Sequence, residues 1–222
     1  MNNSVKNTAR LLGAGLRALL VLTLVCGVVY PLAVTGVAQA LFHNKANGSE
    51  IKSEGKVVGS SLIGQRYDLP LKKGQETAEP DLKWFQPRPS NGLGTNSVNT
   101  QYKLILSGAT NLSGDNKDLI DQVEAAQQAV IKDNATATYK VDKADVPADA
   151  VTSSGSGLDP DISPAYADLQ VHRVAERNGL SVSQVNKLVR DHTSSRILGF
   201  VGEPRVNVLE LNIALKELAA KN

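Results

Sequence analysis

The chain opens on a short polar and basic segment, then runs through the twenty-five residues 18–42 without a single charge. About 20 apolar residues are enough to cover a hydrocarbon core of about 30 Å. This Leu-, Val- and Ala-rich run therefore predicts a transmembrane helix, the form in which every backbone group is satisfied within the segment. Pro31 removes one donor and is expected to kink that helix near Gly27. After His43 the pattern changes. Residues 43–48 read as a polar exit, and Ile51 to Ile63 as a β-hairpin turning at Glu54-Gly55, with Val57-Val58 opening the second strand. Leu69 to Gly94 is a Pro-, Gly- and polar-rich loop broken by Trp84-Phe85, and Asn99 to Asn116 is a second polar stretch around Leu104-Ile105-Leu106. Leu119, Val123, Ala126 and Val130 then fall at helical intervals and predict a helix over 118–131. Asn134 to Ala144 reads as a surface insertion.

The last third is the most explicit. Ser163 is a helix N-cap with Pro164 at the first helical position, and Gly179 closes the helix. Ser181 and Gln184 form a capping box for a helix whose Val182, Val185, Leu188, Val189 and His192 share one face. Asn207 with Glu210 starts a third helix carrying Val208, Leu211, Leu215 and Leu218. The pattern predicts an α+β protein, with one N-terminal transmembrane helix and then a small domain with a helical C-terminal half.

Charge sets the orientation. Lys6, Arg10 and Arg17 precede the apolar run with no acid among them, whereas Glu50 and Glu54 are mixed with lysines after it. The positive-inside bias predicts a cytoplasmic tail over 1–17, a span over 18–42 and an extracytoplasmic domain over 43–222. Ala38-Gln39-Ala40 also fits a signal-peptidase site, but the apolar run exceeds the 7–15 residues of a signal peptide's hydrophobic region, and either reading puts the domain outside. Gly27, Pro31, Gly36 and Ala40 mark a helix face that another helix could approach closely, unless they are only the small residues common in membrane helices. Aromatics make up only 4% of the chain, so the core must be built from Leu, Val, Ile and Ala.

Candidate chemistry is sparse. The single cysteine, Cys26, lies inside the apolar run, which excludes an internal disulfide and a cysteine metal site. His43, His172 and His192 have no metal-ligand spacing, and no nucleophile motif is present. Gly155-Ser156-Gly157 lacks the lysine of a phosphate loop and reads as a turn. Asp159 and Asp161 flank Pro160 ahead of a helix start, where acids are at home. Arg173 to His192 imitates a helix-turn-helix and offers the alternative of a membrane-anchored DNA-binding regulator. The extracytoplasmic placement and a net charge of only +2 speak against nucleic acid. Trp84-Phe85 is either an exposed recognition loop or a plug that fixes a long loop to the core.

Several long strings resemble one family. VTSSGSGLDPDISP (151–164), GFVGEPRVNVLELNIAL (199–215), the GSxLIGQ pattern at Gly59–Gln65 and Arg88-Pro89-Ser90 are similar to the C subunit of the bacterial high-affinity potassium-transporting ATPase, the Kdp complex. The chain departs from that pattern at Asp161, where the family has histidine, at Trp84, where it has tyrosine, and within Ser107–Asn116. The resemblance implies a subunit without a catalytic site, cofactor or metal of its own. Its expected partners are a channel-like A subunit that selects potassium, a P-type B subunit that hydrolyses ATP, and a small single-helix F subunit. Stabilising that assembly is the implied role. A second implied role is to assist ATP binding by the B subunit, with the glutamine matching Gln170 near nucleotide. The topology puts Gln170 across the membrane from cytoplasmic ATP, and read as a residue it is an exposed or capping position on the Ser163 helix. The matched loops are the candidate partner interface: Arg88, Pro89 and Ser90; Ser153, Gly155, Gly157 and Asp159; Glu203 and Arg205. They are turn-forming and proline-fixed, and could equally brace one another through an Arg–carboxylate pair.

Overall fold

The computed structural model of the chain describes residues 2–75, 78–90, 93–95, 103–105 and 107–221. It divides into two units, Met1–Glu50 and Ile51–Asn222.

The first unit is helical from its second residue onward. Helix α1 (Asn2–Leu24) passes through a π-helical turn (Val25–Val29) into α2 (Tyr30–Leu41). The Tyr30 N–H donates to the Val25 carbonyl, five residues back rather than four. Pro31 has no N–H, and its ring would collide with the carbonyl four residues earlier, that of Gly27. Widening the turn just ahead of the proline accommodates both effects, so the disturbance expected near Gly27 takes the form of a π turn. Ser4–Leu41 holds an apolar window long enough to cross a membrane. The one-turn helix α3 (His43–Ala46) ends the unit, and the Asn47 and Gln39 amides exchange hydrogen bonds of 3.1 and 3.2 Å.

The second unit is the α+β domain. Strands β1 (Glu50–Ser53) and β2 (Lys56–Ser60) form the expected hairpin, with Glu54 (φ 52°) and Gly55 (φ 77°) both left-handed, as a two-residue type I′ turn requires. Strands β3 (Leu93–Thr95) and β4 (Lys103–Ile105) pair antiparallel within the segment read as loop. Leu106 and residues 96–102 lie outside the described residues. Helix α4 (Lys117–Asn134) is longer than its periodicity indicated, capped by the Asn116 side chain on the Asp118 and Leu119 N–H groups. The stretch after it is not a free surface insertion. Val141 is buried, and Tyr139 stacks on His172 at 4.0 Å between ring centres.

Helix α5 (Pro164–Asn178) starts with the Tyr166 N–H donating to Ser163 Oγ and ends at Gly179 with φ 66°. Helix α6 (Val182–Asp191) carries the complete Ser181–Gln184 capping box. Helix α7 (Val208–Ala220) begins with the Glu210 N–H on Asn207 Oδ1. The sequence pattern does not show the small antiparallel sheet that links them. It has the order β5 (Asp161–Ile162), β7 (Arg205–Asn207), β6 (Thr193–Ser194), and strands of two or three residues are too short to leave an alternation. Helix α5 lies at the centre, packed by α4 and α6, with α7 against α6. As the low aromatic content required, the core is aliphatic: Val171, Val174, Val185, Val189, Leu211 and Leu215, closed by Phe85.

Candidate functional site

Three polar side chains rise out of the core and hold one irregular segment. Asn212 of α7 bonds both sides of Phe85, with the Phe85 N–H donating to its Oδ1 and its Nδ2 donating to the Phe85 carbonyl, each at 2.9 Å. Gln170 of α5 treats the next residue in the same way. The Gln86 N–H donates to Gln170 Oε1 at 2.7 Å, and Gln170 Nε2 donates to the Gln86 carbonyl at 3.1 Å. Arg173, one turn further along α5, donates to the carbonyls of Leu82 and Trp84, to Asn134 Oδ1 at 2.8 Å and to Gln170 Oε1 at 2.6 Å. Segment 82–86 thus has its backbone satisfied by side chains as a sheet would satisfy it.

This arrangement corrects the reading of Gln170 as an exposed or capping residue, because it is 0 % exposed. Helix α5 is buried on most of its circumference, so positions 170 and 173, three apart, both face inward. Burial lowers the Arg173 pKa to about 10, which leaves the guanidinium charged at neutral pH. Burial likewise raises the Tyr166 hydroxyl to about 12. The Trp84-Phe85 pair is the plug: Phe85 is fully buried, and Trp84 packs against Tyr67 at 6.0 Å with Lys83 Nζ 5.1 Å from its ring centre.

The candidate interface residues, far apart in sequence, converge. Arg88 donates to Asp159 Oδ2 at 3.1 Å, to the Thr152 carbonyl at 3.3 Å and to the Ser153 carbonyl at 3.4 Å, and Ser90 Oγ donates to the Gly157 carbonyl. Asp159 also accepts from the Asp161 N–H, and Asp161 pairs with Arg205 Nε at 2.9 Å. An open depression of about 530 Å³ is lined by Arg88, Asp149, Asp159, Asp161, Glu203 and Arg205, with Pro147 and Pro204 on its walls. Asp149 takes both the Ser163 N–H (2.7 Å) and the Ser163 hydroxyl (2.9 Å), so its carboxylate sits at the N-terminus of α5. Burial raises the Asp161 pKa, opposed by Arg205 and reinforced by Asp159. Gly155 stands apart on an exposed turn with open space around it. The sequence reading missed Asp149 and Pro147, which carry no motif. It also missed Arg173 and Asn212, whose one signal is a polar residue at a core position of a periodic helix.

The GSxLIGQ segment has a packing explanation. A side chain at Gly64 would meet the Asp159 carbonyl oxygen at 2.6 Å, and the Gly64 N–H donates to Leu158 O at 2.8 Å. Gln65 turns back over Gly59 to donate to Val58 O at 2.8 Å, which leaves no room for a Cβ at Gly59. Asn207 closes the knot by donating to Ser61 O and Asp161 Oδ1 while it caps α7. Elsewhere, the Arg173–His192 corner does form, but Val185 and Val189 of its second helix point into the core. Gly27 and Gly36 have open space beside them, and among the described residues no group of acids, histidines or cysteines could hold a metal ion.

One apolar helix of spanning length ahead of a small α+β domain is the plan of a single-pass membrane protein. Residues 12–217 match the family model described as KdpC, the c chain of the K+-transporting ATPase. The chain is 78% identical over 220 residues to the potassium-transporting ATPase KdpC subunit of Streptomyces avermitilis, covering 99% of both chains. It is 70% identical to the subunit of the same name from Streptomyces coelicolor, over 99% of this chain and 98% of that one. To that of Clostridioides difficile it is 40% identical, over 90% and 93%. The chain therefore belongs to the KdpC family, subunits of the potassium-transporting ATPase. The DNA-binding alternative receives no support from these findings.

Proposed function

We propose that the chain is the non-catalytic accessory subunit of the potassium pump and holds the channel-like A subunit together with the ATP-hydrolysing B subunit and the small F subunit. The N-terminal tail, 1–17, is cytoplasmic, 18–42 crosses the inner membrane, and 43–222 presents a rigid extracytoplasmic surface to the A subunit. Potassium and ATP are handled by the partners. The observation that carries this reading is that Arg88, Asp159 and segment 203–205 line one depression, braced by the hydrogen bonds of Arg88 and Ser90 to the 152–159 turn. Such a surface loses little conformational freedom when a partner docks. Arg88 and Ser90 act there as braces, whereas Glu203 and Pro204 are exposed on the rim and are the contact residues.

Gln170 belongs to the same frame. Its carboxamide is occupied by Gln86 and Arg173, which favours a bracing role over a nucleotide contact. Glu203→Arg tests the reading. The domain should keep its melting temperature, while tagged variant chains purified in detergent should recover less of the A and B subunits, with reduced potassium-stimulated ATPase activity. A full complement of partners and unchanged activity would show that this rim is not the contact.

A further inference from the structure

Among the described residues of the domain, the most exposed group of large apolar side chains is a five-residue tip between β6 and β7. Leu198 is 82 % exposed, Phe200 74 %, Ile197 60 % and Val201 46 %. The tip is a built structure. Ile197 and Val201 exchange N–H···O bonds of 2.9 and 3.0 Å, the Gly199 N–H donates to Arg196 O at 3.1 Å, and the Phe200 N–H donates to Ile197 O at 3.3 Å. Leu198 is held at φ 54°, a conformation uncommon for a residue with a Cβ, and it gains no burial there. Arg196, at the base, is exposed and its guanidinium has no partner among the described residues.

We propose that the tip 196–201 is a second membrane-contact element, whose apolar side chains enter the headgroup–acyl boundary of the bilayer with Arg196 at the phosphate level. Three observations favour lipid as the occupant. Backbone polar groups are costly in that environment, and the N–H groups of Ile197, Gly199, Phe200 and Val201 are already satisfied within the loop. An unpaired arginine at the foot of an apolar tip matches anionic headgroups, its stem lying along the apolar zone with the charge at the surface. The bilayer is also always within reach. Only residues 42–50 join Leu41 of the spanning helix to Ile51, a tether of at most about 30 Å that keeps the tip at a high effective concentration beside the membrane. Apolar patches of this kind on soluble domains mark contact sites.

The inference rests on the helix being a retained span and is otherwise independent of the rim residues. The test uses the full chain with Cys26→Ser and Leu198→Cys, labelled with an environment-sensitive fluorophore and reconstituted into phosphatidylethanolamine–phosphatidylglycerol vesicles. Floating the vesicles first ensures that only anchored chains are read, which separates failure of the span from failure of the tip. The expected result is a blue-shifted emission, quenched strongly by spin-labelled lipid and weakly by aqueous iodide. Adding Arg196→Glu with Phe200→Ser should reverse that preference while the melting temperature of the domain stays the same. A label quenched by iodide and indifferent to spin-labelled lipid overturns the proposal. So does a label that, in the assembled pump, is shielded from both quenchers, since a protein partner then covers the tip.

Discussion

Replacing Gln170 with Ala removes an amide that is 0 % exposed and serves three groups: the Gln86 N–H, the Gln86 carbonyl and one N–H of Arg173. A buried group left without its partner costs about 1–3 kcal/mol, more when it is charged. Gln86 is only half-buried, and the open space beside it can admit water, so the upper end of that range does not apply to each group. A total loss of about 3–5 kcal/mol follows. For a domain of this size 1 kcal/mol moves the melting temperature by about 2–4 °C, so Gln170→Ala should lower it by about 10 °C. Circular dichroism of the chain in detergent measures the shift, with potassium-stimulated ATPase activity of the assembled pump at saturating and limiting ATP as the second readout. Asn212→Ala should cost a similar amount, and the double variant less than the sum, because segment 84–86 is released as a unit. A melting temperature within a degree or two of the parent, together with weakened ATP dependence, would refute the bracing argument and favour a nucleotide role for Gln170.

Gly64→Ala pushes a Cβ against the Asp159 carbonyl, which is backbone and cannot swing away, so urea unfolding should show a loss of about 1–3 kcal/mol. Tyr166 holds its proton up to about pH 12 in the fold but only to about 10 when unfolded, so its contribution to stability is complete below pH 10 and is lost as pH rises to 12. The difference in unfolding free energy between the parent and Tyr166→Phe should fall over that window, and a flat difference would contradict the buried hydroxyl. Val28→Asp with Val34→Asp places charges within the span, each costing about 2.5–3.5 kcal/mol on insertion scales, and should abolish membrane retention as read by flotation. Arg88→Ala frees three acceptors and should lower the melting temperature by several degrees. Arg205→Ala removes a half-exposed ion pair and should shift it by a degree or two at most.

What could be read from the sequence was what local chemistry decides. The capping residues Ser163, Ser181 and Asn207 and the terminating Gly179 are where expected, because a cap depends on residues within one turn of it. The Glu54-Gly55 turn follows for the same reason. The sheet of β5, β6 and β7 was not legible, since all three segments are too short for periodicity and β5 meets β7 across more than forty residues. The candidate rim was named from matched strings, but its geometry depends on Arg88 reaching Asp159 across 71 positions, which no spacing rule anticipates. Gln170 was misread because a polar residue on an amphipathic helix is usually on the wet face. The wet face of α5 is a narrow stripe through Ala165, Asp168 and Glu176 that does not include Gln170.

The polar pins also explain how a chain poor in aromatics holds long irregular loops still. Burying aromatic rings is the usual way to fix a loop, and among the described residues Phe85 is the one such ring with no exposure at all. The other anchors are hydrogen bonds from residues fixed on helices: Asn212, Gln170 and Arg173 to segment 82–86, and Asn207 to the turn at Ser61. An apolar anchor tolerates sliding, whereas a side-chain amide that bonds both the N–H and the carbonyl of one residue specifies its position and direction. The segment so fixed leads through Pro87 directly into Arg88, so the helical core and the rim are connected by a path with little freedom. A subunit that works by presenting a surface needs that surface placed to within an ångström or so, and rigid elements meet this need better than mobile loops. On this reasoning a variant that loosens the pins should weaken assembly even though it touches no partner. Gln170→Ala would then mimic a rim mutation in pull-down while differing from it in melting temperature.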